Sequence, residues 1–311
     1  MAEGKFFTEI KIEKSKWQIN HKDRIFLIGS CFTDEIGNKF EKHGFDILKN
    51  PFGTIYNPLS IANLIERCIK NEEFTEKDII KSGEFYHPFA THGDIYGETI
   101  KDCLQLANKT TEKVHNYLQN TTVIIITLGT AWSYWHKNTN TLMANCHKIP
   151  QKEIKRRLLC IEEVNLALSS LIIEIQKKLP QIKHMLFTVS PVRHIKEGLY
   201  DNNLSKSTLH LSINNVITKN KNVDYFPSYE IVMDCLRDYR FYAKDLVHLN
   251  EMAVDYIWEK FSDCYFSDNT RGINEKYYKL VLMQNHRPIH PNSEGYKKHL
   301  EKIEKLQKEL K

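Results

Sequence analysis

The sequence lacks long apolar runs and has no strong excess of charge of either sign. No apolar segment approaches the length of a membrane-spanning helix, and residues 1–5 contain no apolar signal core. The formal net charge of +5 is spread along 311 residues, which does not indicate a nucleic-acid-binding surface. These absences predict a cytoplasmic protein that binds neither a membrane nor nucleic acid.

Paired cysteines are also lacking. The chain has seven cysteines, an odd number, and no two of them form a Cys-x-x-Cys pair. We expect reduced and mostly buried thiols rather than disulfides. His286 and His290 are close in sequence but have no cysteine or carboxylate partner at a metal-ligand spacing. The sequence therefore predicts neither a metal site nor a cofactor.

Strand-like and helix-like segments alternate along the chain. Runs of strand type lie at residues 24–28, 45–48, 122–128, 184–189 and 223–226. Helical patterns lie at about residues 34–43, 59–69, 99–118, 161–178 and 206–217, the last with Ser205 as its cap. This alternation predicts an α/β fold: a doubly wound, mostly parallel sheet of about five strands, with helices on both faces.

Residues 1–266 are expected to form this domain, and residues 267–311 a C-terminal extension. The extension contains a proline-broken segment at 286–291 and an amphipathic helix at 293–310 with a narrow apolar stripe. Such a helix can lie on its own domain or pair with a second chain. Docking on its own domain is the preferred interpretation, and both a monomer and a homodimer remain open.

Polar clusters follow the predicted strands at their carboxyl ends. Ser30 follows the first strand, Gly53 the second, Gly129 the third and Ser190 the fourth. In a doubly wound sheet the carboxyl ends of the strands share one edge, where ligands bind. The sequence therefore predicts a single functional site at this edge.

The turn at Gly29 and Ser30 has the pattern of a nucleophile placed between a strand and a helix. At a helix N-terminus, free backbone N–H groups can receive negative charge. Ser30 is the candidate nucleophile, and a serine that simply caps the helix is the alternative. Cys31 is a second candidate nucleophile. Because it comes one residue later, its side chain is expected to point away from that of Ser30, into the core.

A second short motif, Asp245-Leu-Val-His248, precedes a predicted helix at residues 251–261 with Asn250 as a candidate N-cap. In this spacing the carboxylate can hold one ring nitrogen while the other faces a serine hydroxyl. A serine near the first strand and Asp-x-x-His near the last helix form the order found in SGNH (GDSL-like) hydrolases.

Longer blocks resemble the GSCFA family, a branch of the SGNH-like proteins. The motif that names the family stands here as Gly29-Ser30-Cys31-Phe32-Thr33, with threonine in place of the final alanine. Further family-like blocks lie at residues 50–58, 127–132, 145–148, 188–194, 225–230, 236–242 and 245–248. The resemblance covers roughly residues 5–265. It implies the SGNH-type fold and a serine hydrolase, and it gives no role to the 145–148 block.

The resemblance implies a catalytic triad of Ser30, Asp245 and His248. Ser30 would attack an ester carbonyl, His248 would remove the hydroxyl proton, and Asp245 would hold the imidazole. No metal takes part in this chemistry.

The resemblance also implies an oxyanion site, with the N–H groups of Ser30 and Gly53 as two of its donors. SGNH enzymes take a third donor from an asparagine after the third strand, where this chain has Ala131. Thr130 or Asn57 is expected to replace it.

The candidates for binding the rest of the substrate are Ser190, His92, Arg193 and His194. A guanidinium suits a carboxylate or a phosphate, although Arg193 is equally expected as a structural ion-pair partner of Asp238 or Glu230. His92 lies in an aromatic stretch at residues 85–94 that is predicted to be a loop over the site.

Two classes of function remain open. The first is a serine hydrolase or acyltransferase acting on a small-molecule or carbohydrate acyl ester, an acetyl group on a sugar being one such substrate. Hydrolysis and transfer share an acyl-enzyme and differ in whether water or an alcohol enters second. The other class is a binding module that retains the fold with little catalysis, which the missing asparagine favours. The enzyme is the preferred interpretation.

Overall fold

A computed structural model describes residues 8–196 and 198–310. The strands are β1 (Arg24–Gly29), β2 (Asp46–Lys49), β3 (Ile79–Ser82), β4 (Phe85–Pro88), β5 (Val123–Leu128), β6 (Trp132–His136), β7 (Thr141–Met143), β8 (Ile154–Leu158), β9 (His184–Val189) and β10 (Val223–Tyr225). The helices are α1 (Cys31–Lys42), α2 (Pro58–Lys70), α3 (Ile100–Leu118), α4 (Ile161–Lys178), α5 (Leu199–Ile217), α6 (Ser228–Glu230), α7 (Glu251–Tyr265), α8 (Asp268–Gln284) and α9 (Glu294–Glu309). None of these helices is long and apolar enough to cross a membrane.

Five parallel strands form the central sheet, in the order β10-β9-β5-β1-β2. The chain runs from β1 outward to β2 and then returns across β1 to β5, so the strand order reverses between β1 and β5. This is the switch point at which doubly wound sheets bind ligands. The predicted α/β fold is confirmed.

Alternate residues of the central strands pack on opposite faces of the sheet. In β1, Ile25 and Leu27 contact the cluster formed with α1 and α7, whereas Phe26 and Ile28 contact the cluster formed with α2–α5. Every residue of β5 is buried. An unbroken β-branched run is what a strand covered on both faces requires.

Two small antiparallel sheets lie beside the main sheet. One is the β3–β4 hairpin, and the other has the order β7-β6-β8. The loop predicted at residues 85–94 is therefore wrong in its first part, where β4 pairs with β3. The aromatic character of this stretch has a packing reason, because Phe89 is buried against Met143 of β7.

The start of α5 also differs from the prediction. Helix α5 begins at Leu199, after Gly198 with a φ of 94°, and Ser205 lies buried in its interior rather than at its cap. In the first turns of α5 the apolar side chains of Leu199 and Leu204 are exposed and the polar Asn202 is buried, so the pattern of an amphipathic helix does not mark this helix start.

The C-terminal extension forms a helical hairpin. The predicted helix at 293–310 is α9, and it packs against α8, which the sequence did not predict. The Tyr277 hydroxyl donates a hydrogen bond to the Leu310 carbonyl (3.1 Å), and His299 Nε2 lies 2.8 Å from the Met283 carbonyl. Helix α9 thus docks on its own chain.

Candidate functional site

The turn after β1 leaves the Ser30 hydroxyl free. Ser30 occupies the N-cap position of α1, yet its side chain makes no capping hydrogen bond. It is 1% exposed, and Oγ has no hydrogen-bond partner among the described residues. A buried hydroxyl without a partner is costly and is a recognised mark of a functional group. The simple helix-cap alternative for Ser30 is therefore not what the geometry shows.

Gly29 is required by the tight approach of β1 to β5 at this turn. A Cβ atom on Gly29 would lie 2.2 Å from the Thr127 carbonyl oxygen, and its φ is 148°. No side chain fits in this gap.

Asn50, the first residue after β2, holds the turn in place. Its Oδ1 accepts a hydrogen bond from the Gly29 N–H (2.9 Å), and its Nδ2 donates to Asp34 Oδ1 (3.0 Å) on α1. Asn50 has a φ of 37°, a conformation that asparagine tolerates better than most residues. We did not predict this role of Asn50 from the sequence, although an Asn-Pro pair directly after a strand is a recognisable turn signal.

The Asp245–His248 turn presents an oriented imidazole. Asp245 Oδ1 accepts hydrogen bonds from the N–H groups of Val247 and His248 (both 3.0 Å), and Oδ2 lies 2.6 Å from His248 Nδ1. The hydrogen bond from His248 is the main reason that the pKa of Asp245 is lowered to about 2. Both side chains are about half exposed, at 53% for His248 and 50% for Asp245. The carboxylate therefore fixes both the turn and the ring.

Arg193, in the loop after β9, donates a hydrogen bond to the Asp245–His248 turn. Leu246 adopts a left-handed conformation, with a φ of 61°, and its carbonyl accepts a hydrogen bond from Arg193 Nη2 (3.1 Å). The guanidinium also lies 5.1 Å from the centre of the Tyr242 ring. The ion-pair alternative finds no support, because Asp238 is paired with Arg240 and Glu230 lies 3.5 Å from His210.

One cavity of about 280 Å³ brings most of the predicted site together. It lies at the carboxyl ends of the central strands, around the switch point. The predicted residues that line it are Ser30, Asn57, Thr130, Ser190, Arg193, His194 and His248. Asp245 joins them through its hydrogen bond to His248.

Besides Asp245, two further predicted site residues do not line this cavity. Gly53, with a φ of 75°, donates its N–H to the Asn50 carbonyl (2.8 Å), so this group is already used within a turn. His92 packs directly against Gly53, where an added Cβ would lie 2.4 Å from the His92 Cβ, and its Nδ1 lies 2.9 Å from the Asp94 carboxylate.

The other predicted oxyanion donors are also engaged. The Ser30 N–H donates to the Thr127 carbonyl (3.2 Å). Asn57 caps α2 through Oδ1 and donates one Nδ2 hydrogen to the Trp132 carbonyl (2.9 Å), which leaves its second amide hydrogen. The Thr130 hydroxyl accepts from the Trp132 N–H (3.1 Å) and is also hydrogen-bonded to Ser205 Oγ (3.0 Å).

Cys31 lies on the cavity wall, so the prediction that it points into the core is wrong. Cys31 is the first residue of α1 and directly follows Ser30, and both residues line the same cavity. Burial raises the pKa of its thiol, which disfavours the reactive thiolate. Its position beside Ser30 therefore does not make it the better nucleophile.

Two residues of α5, Ser205 and Lys206, hydrogen-bond to the loops that form the cavity, and we did not predict this role from the sequence. The Ser205 hydroxyl accepts from the Ala131 N–H (2.7 Å) and is hydrogen-bonded to Thr130 Oγ1 (3.0 Å). The buried Lys206 Nζ donates to three carbonyl oxygens of the cavity loops: those of Gly129 (2.8 Å), Ser190 (2.6 Å) and Val192 (3.2 Å). A lysine inside a helical pattern gives no signal of such a role, because most lysines there face solvent.

The 145–148 block has a structural place away from the cavity. His147 is buried and stacks on His87, with 4.9 Å between the ring centroids. Burial is the main cause that lowers the pKa of His147 to about 3, so this ring is neutral. Among the described residues, no group of three or more His, Cys, Asp or Glu side chains is placed to hold a metal ion.

Comparison with known proteins gives a family for the chain. No curated protein matches the sequence. The model of the GSCFA family matches residues 24–261, a range that runs from the start of β1 into α7 and includes the Ser30 turn and the Asp245–His248 turn. The chain therefore belongs to the GSCFA family.

Proposed function

We propose that this protein is a serine hydrolase of the SGNH type that cleaves O-acyl esters through an acyl-enzyme. One observation carries the proposal. Ser30, whose hydroxyl has no hydrogen-bond partner among the described residues, lines the same cavity as His248. Asp245 holds the Nδ1 nitrogen of this imidazole. These are the three groups that nucleophilic acyl transfer requires.

In the proposed reaction, Ser30 Oγ bonds to the ester carbonyl carbon while His248 Nε2 takes the hydroxyl proton. The tetrahedral intermediate then collapses, the bond to the alcohol oxygen breaks, and His248 returns the proton to the leaving alkoxide. Water attacks the acyl-enzyme by the same route and releases the acid. Ser30 Oγ makes no hydrogen bond among the described residues, and catalytic contacts often shorten only when substrate binds.

The oxyanion would be stabilised by donors other than those of the SGNH pattern. The first N–H groups of α1, those of Cys31 and Phe32, have no partner earlier in the helix, and the Ser30 side chain accepts a hydrogen bond from neither. Asn57 offers its second amide hydrogen as a side-chain donor on the cavity wall. We propose these groups for the role because donors at a helix start also gain from the helix dipole.

The experiment is labelling with a fluorophosphonate, mapped by peptide mass spectrometry. We expect modification of Ser30, a labelling rate lowered by roughly a hundredfold or more in His248→Ala, and no label in Ser30→Ala. A Cys31→Ala variant that still carries the label on Ser30 separates the serine from its neighbouring thiol. Absence of label on a protein with a native circular dichroism spectrum would contradict the proposal.

A binding module of the same fold is the second candidate. The observation that favours it is the use of the Ser30 N–H and the Gly53 N–H in backbone hydrogen bonds, which removes two of the usual oxyanion donors. Such a protein would bind an acyl ester in the cavity without turning it over. Ester binding measured by calorimetry, without hydrolysis and without fluorophosphonate labelling, would identify it.

A further inference from the structure

The cavity has an apolar wall that the proposed reaction does not itself require. The side chains of this wall are Tyr56, Trp132, Tyr134, Met143 and Ala144. Among the described residues, no aspartate or glutamate lines the cavity, and Arg193 is the one lining residue with a permanently charged side chain. A wall of this composition favours an apolar group over a hydrated one.

The apolar wall is a built surface rather than a loose loop. Met143 and Ala144 are buried, and the Ala144 N–H donates to the Phe89 carbonyl (2.8 Å). The Trp132 ring is covered by the Arg156 guanidinium at 3.5 Å, and its Nε1 donates to the Asp201 carbonyl (3.3 Å). These contacts fix the wall before any ligand arrives, which lowers the entropic cost of binding.

Arg193 and the apolar wall come from different segments of the chain. Arg193 follows β9. Tyr56 lies at the end of β5, where its carbonyl accepts hydrogen bonds from the N–H groups of Gly129 (2.8 Å) and Thr130 (3.0 Å). Most of the remaining wall is carried by β6 and β7, which follow β5 in the chain. The apolar wall is thus built at and after the end of β5, whereas the cationic side chain is supplied by the loop after β9.

The chemistry of acyl transfer decides which part of the ester meets which side. His248 must protonate the leaving alkoxide, so the alcohol part has to lie beside the imidazole and its neighbour Arg193. The apolar wall is then left for the acyl part.

We infer that the acyl group of the substrate is an apolar chain of about six to eight carbons, or an aromatic acyl group of similar size; this inference rests on the proposed function. At roughly 30 Å³ for each water-sized group, a cavity of about 280 Å³ holds about nine such groups. The ester oxygens and the first carbon of the alcohol part take about three of these places, which leaves about six for the acyl chain. An acetyl group would leave most of the apolar wall uncovered.

The test is a chain-length series of p-nitrophenyl esters from acetate to dodecanoate, with kcat/KM measured for each. Each methylene that enters the cavity should raise kcat/KM roughly fourfold, up to hexanoate or octanoate. A decline should follow for longer chains. A highest kcat/KM for acetate, abolished in Ser30→Ala, would overturn the inference while the proposed function stands.

Variants at the end of β7 and directly after it give a matched comparison of chain-length preference. Met143→Ala enlarges the cavity and should move the preferred chain to longer esters, whereas Ala144→Leu fills it and should move the preference to shorter ones. Leu142→Ala is the control, because Leu142 directly precedes Met143 on the other face of the strand, lines a separate cleft and should leave the chain-length profile unchanged. A shift in the control equal to that of Met143→Ala would contradict the assignment of the wall.

A measurement without turnover separates the two proposals. Isothermal titration of octanoate and of acetate into the wild-type protein should show binding of octanoate at least tenfold tighter. If no ester is hydrolysed and octanoate still binds, the proposed function fails and the apolar acyl site stands. If neither ligand binds and no ester is hydrolysed, both proposals fail.

Discussion

At the scale of single residues, Asp245 performs two tasks with one carboxylate. Its Oδ1 closes the turn through two backbone N–H groups, and its Oδ2 holds the His248 ring. Because its pKa is lowered to about 2, it stays ionised at every pH at which the protein would work. The stability that it contributes is present above the ordinary pKa of aspartate and is lost as pH falls through about 2.

Asp245→Asn should therefore lower kcat by roughly 10³- to 10⁴-fold, because an amide that donates to Nδ1 selects the wrong imidazole tautomer. We expect little change in the thermal midpoint, since the side chain is half exposed. The measurement is ester hydrolysis beside Asp263→Asn, which removes an exposed carboxylate paired with Arg271 on the outer surface of α7. A loss of less than tenfold in kcat would count against the triad.

Asn50→Asp should destabilise the protein in a pH-dependent way. The new carboxylate would face Asp34 at about the 3.0 Å of the present hydrogen bond, so two like charges would meet at a partly buried site. The pair should then take up a proton in the folded state, and one of its pKa values should be raised. Since the folded state then binds more protons than the unfolded one, the free energy of unfolding should fall as pH rises from 5 to 8.

Urea unfolding of wild type and Asn50→Asp at several pH values measures this effect. Asn50→Gly is the matched control, because glycine accepts the left-handed backbone and removes the side chain without adding charge. A destabilisation of Asn50→Asp that is equal at pH 5 and pH 8 would show that repulsion with Asp34 is not its cause.

Local sequence signals identify residues whose role depends on their own turn or cap. Asn250 and Asn57 cap helices, as an asparagine before a helix indicates, and the Asp-x-x-His spacing leads to the observed hydrogen bond. The partner of the Gly53 N–H is also local, since it is the carbonyl of Asn50, three residues earlier. The direction of the Cys31 side chain depends instead on how its turn packs against distant segments, and it cannot be obtained from neighbours in the sequence.

At the scale of elements, α5 joins the loops that form the floor of the cavity. Lys206 donates to carbonyl groups after both β5 and β9, and three acceptors match the three hydrogens of an ammonium group. Burial lowers the pKa of Lys206 from 10.5 to about 7. The position of the two loops is therefore linked to the charge on one buried side chain.

Lys206→Met should change how stability depends on pH. The unfolded chain binds a proton on this lysine up to about pH 10.5, whereas the folded protein releases it at lower pH. The lysine should therefore make the free energy of unfolding rise between pH 7 and pH 10, and methionine removes this rise. Guanidinium unfolding of the wild type and of Lys206→Met at pH 7, 8.5 and 9.5 gives the difference between their free energies of unfolding. The prediction requires this difference to vary with pH.

Elements differ in how clearly the sequence marks them. The strands β1, β5 and β9 and the helix α4 follow from long apolar runs or strong periodicity, because they are buried on one or both faces. Strand β8 carries Arg156 and Arg157, whose guanidinium groups lie against tryptophan rings of β6. Because β8 carries these charges, its sequence does not indicate a strand. Contacts with the neighbouring strand β6 stabilise it.

At the scale of the whole molecule, the α8–α9 hairpin is fastened to the main domain near the end of α1. Gly44, with a φ of 80°, lies under the Tyr277 ring of α8, and an added Cβ would approach ring carbons to 2.4 Å. His43 stacks on Tyr278 at 5.3 Å. This contact joins the extension to the domain that carries the site.

Gly44→Ala should lower the free energy of unfolding by about 2–4 kcal/mol, from backbone strain together with overpacking against Tyr277. Gly83→Ala is the matched control, since Gly83 has a φ of 60° and no atom within 4 Å of an added Cβ. It should show the smaller loss due to strain alone. Chemical denaturation of the two variants gives the comparison, and equal losses would show that the Tyr277 contact has no energetic weight.

The candidate site draws on both ends of the domain, from Ser30 after the first strand to His248 before α7. During translation the ribosome therefore makes the proposed nucleophile early, and the proposed base more than two hundred residues later. Because domains fold largely as units during synthesis, the proposed mechanism implies an inert serine until the last turn of the site emerges. Under that mechanism, a growing chain, or one terminated before His248, would not cleave esters.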